Sequence, residues 1–187
     1  VPTMMTTLDG FPVPVAVSGP ETGVVVVVLA AEQRAPAAYD AVCDRLHTAS
    51  FRTIVIGFDP RLTAKSVIGI LDALGVSWAV LVGDRAGAEL AWDLAATRLG
   101  RFVGLVAIDR GHPQVGDGSR PARDGQCPPV EVATTVLVSS PITREAARAS
   151  QRFVYADYRV VDLLGRRSAQ ESTAQLATEI VLRASAW

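Results

Sequence analysis

An apolar run, Trp78-Ala79-Val80-Leu81-Val82, stops at Gly83-Asp84-Arg85-Ala86-Gly87, and a helical stripe of Leu90, Ala91, Leu94 and Ala95 begins at once. A strand that becomes a helix within five residues needs a sharp turn, and the flanking glycines suit close backbone approach. The tip of that turn is Arg85, between Gly83 and Gly87. The local unit is therefore a buried strand feeding a helix N-terminus, the element from which parallel sheets are wound. A guanidinium stays protonated at physiological pH and has no nucleophilic lone pair, so the tip cannot attack a substrate.

The rest of the chain keeps the same rhythm. Residues 4–8 and 12–17 read as a hairpin around Asp9-Gly10. Val24 to Ala30 is a Val-rich run of the kind buried on both faces of a parallel sheet. Pro36 opens a helix to about Ala49, and Thr53 to Phe58 is the next strand. Thr63 suits an N-cap, with Val67, Ile70, Leu71 and Leu74 as the helical stripe and Gly75 as the stop. Strands are predicted at Phe102–Ile108, Val132–Val138 and Tyr158–Leu164, and helices at Thr143–Arg152 and 169–185, the last with Leu176, Ile180 and Val181 on one side. This alternation predicts an α/β fold: a doubly wound, mostly parallel sheet of about eight strands flanked by helices, in one domain spanning 1–187.

One stretch breaks the pattern. Arg110 to Pro129 holds four glycines, four prolines and three arginines without helical period, where a parallel crossover normally uses a helix. It reads as a mobile flap at the strand ends, or else the strands around it are misplaced.

Composition excludes several classes of function. A net charge of −1 gives no reason to expect nucleic acid or an anionic membrane as partner. The longest apolar run, Val24 to Ala31, is too short to span a bilayer, and the N-terminus lacks a signal-peptide pattern. Cys43 and Cys127 make neither a metal-binding spacing nor a disulfide framework, so neither metal nor cofactor is expected. Cys43 lies on an apolar helix face with Tyr39, Val42 and Leu46 and is expected buried; Cys127, in the Gly/Pro-rich loop, is expected exposed. A cytoplasmic location fits.

Several spaced segments together resemble the α/β-hydrolase superfamily over nearly the whole length. Leu8-Asp9-Gly10-Phe11-Pro12-Val13 is similar to its opening hairpin, and Phe58-Asp59-Pro60-Arg61 and Leu71-Asp72-Ala73-Leu74-Gly75 match later segments. Val82-Gly83 and Gly87-Ala88-Glu89-Leu90-Ala91-Trp92 resemble the nucleophile elbow of the epoxide-hydrolase and haloalkane-dehalogenase branch. The resemblance implies a nucleophile at Arg85, an oxyanion segment at Ala31-Glu32-Gln33-Arg34, an acid near Ser139–Thr143 and a histidine near Gly165-Arg166-Arg167-Ser168. All four stations depart from the pattern, and no histidine follows His112. The helical cap of the family is absent, with only the 110–129 loop in its place.

The expectation is thus a catalytically incompetent hydrolase-like protein with a binding, scaffolding or regulatory role. Its alternative is a hydrolase of weak or unconventional activity on esters or epoxides, using Asp84, Asp109 or His112. Asp84 reads chiefly as an arginine's partner, Asp109 as the partner of Arg110 or Arg85, and His112 as a solvated loop histidine; His47 reads as structural or solvent-facing. Arg85 adds charge to the positive end of a helix, which calls for an anion. Two candidates are an internal pair with Glu32 or Asp109, and a small anionic ligand held by Arg85 with Glu32 and Arg110 close by. Arg120, Arg123, Arg144, Arg166 and Arg167 also map to this edge. Ser139 and Ser140 read as turn formers. An uncapped edge is further expected to meet a protein partner, a second subunit of a homo-oligomer included.

Overall fold

The computed structural model describes residues 1–116, 120–163 and 169–185. Eight strands form one sheet: β1 Thr3–Thr6, β2 Pro12–Ser18, β3 Val25–Leu29, β4 Arg52–Ile56, β5 Ala79–Asp84, β6 Phe102–Ile108, β7 Thr134–Val138 and β8 Tyr158–Asp162. Their order is β1-β2-β4-β3-β5-β6-β7-β8. β2 runs antiparallel to β1 and β4, and every other pairing is parallel. The expected doubly wound, mostly parallel sheet is present.

Five α-helices cover it: α1 Asp40–Thr48, α2 Ala64–Ala73, α3 Ala86–Thr97, α4 Pro141–Ala149 and α5 Ala169–Ala184. Along β3, Val27 and Leu29 pack on one face with Val67 and Ile70 of α2, Trp92 and Leu94 of α3, and Ala147 of α4. Val26 and Val28 pack on the other with Val42 and Leu46 of α1 and Ile180 of α5. A strand buried on both faces has no place for polar alternation, which is why β3 is nearly all valine. Among the described residues no buried side-chain nitrogen or oxygen lacks a hydrogen-bond partner. No helix among them is long and apolar enough to cross a membrane.

Helix starts depart from the sequence expectation where capping chemistry differs. Thr63 caps α2 as expected, in a reciprocal box with Ser66. Ahead of α1, Ala35 has no capping side chain, and the chain enters through a 3-10 turn, Pro36–Tyr39. α4 begins at Pro141, two residues before its expected start, because Ser140 and Thr143 form a second capping box. Between β6 and β7 no helical insertion occurs among the described residues, as the missing cap implied.

Candidate functional site

β5 runs through Gly83 and Asp84, and α3 starts at Ala86, leaving Arg85 alone to reverse the chain. Arg85 has φ 51° and ψ −109°, a conformation sparsely used by residues with a Cβ. Such strain costs about 1–3 kcal/mol and persists only where its surroundings enforce it. Here they do. The Arg85 N–H donates to the Ile108 carbonyl, while its own carbonyl accepts from Ala88 and Glu89. A Cβ on Gly83 would meet the Ala88 Cα at 2.5 Å, and one on Gly87 would meet the Leu29 oxygen at 2.1 Å. The two glycines let α3 seat directly on the sheet, and this fixes the register that puts an arginine at the tip.

Asp84 lies just beneath the tip with a side chain 4 % exposed. The Tyr39 hydroxyl donates to its Oδ2 at 2.8 Å and accepts from the Ala31 N–H at 2.8 Å, tying the loop after β3 to the elbow. Arg85 Nε donates to Oδ1 at 3.3 Å, and Arg34 Nη1 stands 3.9 Å from Oδ2. Burial pushes the Tyr39 phenol well up from its usual value, so it remains a donor to Asp84. Burial opposes the charge on Arg85, but Asp84, with Tyr39 and Asp109 behind it, outweighs that and raises its pKa. The internal anion expected for Arg85 is therefore Asp84. Among the described residues Arg85 forms no ion pair with Glu32 or Asp109, and Glu32 sits half-buried in the loop after β3.

Among the described residues Asp109, at φ 59°, is not paired with an arginine side chain. Its carboxylate accepts from the Ser139 N–H at 2.8 Å and the Ser139 hydroxyl at 2.6 Å, joining the ends of β6 and β7. Ser140 is the cap of α4. Arg110 instead donates to Glu89 at 3.0 Å and to the Asp109 carbonyl. Arg144 pairs with Asp162. Arg166 and Arg167, with the rest of the station after β8, lie outside the described residues.

The reading of His112 as a solvated histidine is corrected by its complete burial. Its ring stacks on Phe153 and meets the Trp92 ring edge-on. Nδ1 accepts from the Gln114 N–H at 3.1 Å, so Nε2 is the protonated nitrogen and donates to the Pro128 carbonyl at 2.7 Å. Burial depresses the pKa, against the opposing effect of the Pro128 bond. The flap expectation for 110–129 changes with it. Trp92 donates to the Arg110 carbonyl, Arg123 to the Gly111 carbonyl and Gln114 to the Cys127 carbonyl. The described part of this loop is irregular in backbone yet anchored at many points. Cys127, expected at the surface, is 2 % exposed, and burial pushes its thiol up to about 12. Cys43 is buried as expected. His47 bonds Ser18 and Thr53 near the opposite ends of the strands.

A cavity of about 580 Å³ opens beside the elbow rather than at its tip. Leu29, Ile56, Phe58, Leu62 and Leu90 give it apolar walls, and the backbone of Ala86 and Gly87 borders it. Neither Arg85, Glu32, Asp109, Arg110 nor His112 is among its lining residues. Its polar lining is Asp59, Thr63, Glu89, Asp93, Arg123 and Asp124. Asp59 is chelated by Arg61, which holds its carboxyl down at about 2. Burial raises Asp93, with Asp124 adding repulsion. Glu89 draws three guanidiniums onto one oxygen, Oε1: Arg110 at 3.0 Å, Arg120 at 3.3 Å and Arg123 at 3.9 Å. Glu89 and Asp93 were not among the expected site residues, although their spacing of four on the helix behind the elbow puts both carboxylates on one face. Among the described residues no three His, Cys, Asp or Glu side chains gather into a metal site.

No protein-family profile matches this chain, and no curated protein is similar enough in sequence to count as a relative. Solved structures match it closely in shape. Epoxide Hydrolase A from Mycobacterium thermoresistibile superposes with a TM-score of 0.77 at 11% identity, covering 95% of this chain and 97% of that one. An esterase from Exiguobacterium antarcticum gives 0.77 at 13%, covering 97% and 100%. A thermophilic esterase from Thermogutta terrifontis gives 0.70 at 17%, covering 97% of both. The chain has the α/β-hydrolase fold.

Proposed function

We propose that this chain is a binding protein on an α/β-hydrolase scaffold, without a working triad, whose ligand is a small anion held near the elbow. The observation that carries the reading is Arg85 at the strained tip, in the place a nucleophile must occupy. Support comes from the groups that would have to replace the lost machinery, since each is already engaged. Asp84 is buried under Tyr39 and Arg85, Asp109 is closed by Ser139, and His112 spends both ring nitrogens on the loop backbone. A general base must reach its proton at about 3 Å, directly or through one water. A ring with no exposed surface meets neither condition.

The alternative is weak hydrolysis of esters or epoxides through Asp84, Asp109 or His112, the chemistry for which the structural neighbours are named. A turnover panel of aryl esters and aryl epoxides separates the two, run on the wild-type chain and on His112→Ala and Asp109→Ala. The binding reading expects no saturable turnover in any of them. Saturable turnover that vanishes in either variant overturns it. Partners and location follow the same proposal: a small anion or a protein, a second copy included, in the cytoplasm.

A further inference from the structure

Four carboxylates line the cavity beside the elbow, Asp59, Glu89, Asp93 and Asp124, against one guanidinium, Arg123. Two of the four are already answered. Asp59 is held by Arg61, and Glu89 draws Arg110, Arg120 and Arg123. Among the described residues the Asp93 carboxylate forms no ion pair and no hydrogen bond, and Arg98 acts on it only from beyond salt-bridge distance. Asp124 forms no ion pair there either, and its carboxylate accepts only the Gln126 N–H. Burial opposes the charge on Asp93, and repulsion from Asp124 adds to that opposition. Asp93 is only half-buried and keeps its charge at neutral pH, uncompensated. A cation set between the two carboxylates relieves both effects at once. A hydrated metal ion would answer the charge but leave Leu29, Ile56, Phe58, Leu62 and Leu90 facing water, whereas an organic cation meets both needs.

We propose that this cavity binds a primary alkylammonium, its head between Asp93 and Asp124 and its hydrocarbon along Leu29, Leu62 and Leu90. An ammonium has three N–H donors and no acceptor, which suits two carboxylates with free acceptor capacity. The inference goes beyond the anion proposed at Arg85 and does not rest on it, because Arg85 lies outside the cavity lining. It gives a use to a charge on α3 that the empty cavity leaves unmatched.

Isothermal titration of n-octylammonium into the full chain at pH 7 tests this, with 1-octanol and octanoate as charge controls. Octylammonium is expected to bind about tenfold tighter than either, the scale of a charge-assisted hydrogen bond. Butylammonium, which buries a shorter chain, should bind at least about tenfold weaker than octylammonium. Asp93→Asn should weaken octylammonium about tenfold and leave 1-octanol unchanged. Asp124→Asn, on an exposed loop residue, should weaken octylammonium several-fold and serves if Asp93→Asn fails to fold, which circular dichroism checks. Asp162→Asn removes a carboxylate held by Arg144 at another edge of the sheet and should leave octylammonium unchanged. Equal binding of octylammonium and 1-octanol, tighter binding of octanoate, or no effect of Asp93→Asn and Asp124→Asn overturns the proposal. So does an equal loss in Asp162→Asn, which would mark general attraction to an acidic surface, or butylammonium binding as tightly as octylammonium.

Discussion

At the scale of single residues, the elbow is held by Tyr39 as much as by its glycines. One hydroxyl accepts the Ala31 N–H and donates to a buried carboxylate, so its removal strands two groups at once. A buried donor or acceptor left unmatched costs about 1–3 kcal/mol. Tyr39→Phe is therefore expected to lose about 2 kcal/mol, seen as a lower urea midpoint at unchanged slope. An unmoved midpoint would mean that water replaces the hydroxyl and that the elbow does not depend on it. Asp93 gives the opposite sign. Burial raises its folded pKa above the unfolded value, so its contribution is fully favourable only below the unfolded pKa and declines as pH rises through the folded one. Asp93→Asn should then melt higher than wild type at pH 7 and match it near pH 3. A variant less stable at neutral pH would show that the carboxylate is used in its charged form. Tyr39 carries no such signal in the sequence: it reads as one more apolar position on a helix face, and only contact across the sheet edge reveals its hydroxyl's partners.

Among the elements, the 110–129 segment separates what the sequence discloses from what it hides. Glycine and proline content shows correctly that no helix forms among its described residues, since proline lacks the N–H and glycine the restraint. It does not show the anchoring, because those bonds run to distant carbonyls and to rings on α3 and beyond α4. His112 is the central post, and its Nδ1 can accept from Gln114 only while unprotonated. Arg123 and Asp124 are the charged groups that act on it, the first lowering and the second raising its pKa. Unfolded histidine takes up a proton below about pH 6.5, whereas the folded ring stays neutral to lower pH. The unfolded chain then binds the extra proton, so stability is complete above pH 6.5 and falls as pH drops toward the folded pKa. In His112→Gln this decline between pH 6.5 and 5 should flatten. Stability at pH 7.5 should also drop by about 2 kcal/mol, from lost stacking and hydrogen bonding. Urea unfolding across that pH range measures both, and a decline as steep in the variant as in wild type would assign it to other groups.

For the molecule as a whole, the strands and their layering were legible because they follow from long buried runs, and burial on both faces needs continuous apolar sequence. The polar interior was not. Arg183 is 1 % exposed on the inner side of α5, bonded to Thr135, to the Thr134 carbonyl and to Asp157, and Gly104 leaves room for it across the sheet. An arginine among Ile180 and Ala184 reads as a break in a stripe until the strands that satisfy it are in place. The site divides in the same way: the tip register was fixed by two glycines, while the cavity depends on where loops from four strand ends converge. This bears on what a single substitution can do. Arg85→Asp puts a carboxylate at the tip, in the same positive-φ conformation. It supplies no base, since His47 lies near the other ends of the strands and His112 is enclosed, and a positioned base contributes about 10²–10⁴-fold in rate. Arg85→Asp is therefore expected to turn over aryl esters and aryl epoxides no faster than wild type, followed by product release over hours. A saturable rate in the variant that disappears in Arg85→Asn would place a usable base within reach of the tip, and the binding-protein reading would fall with it.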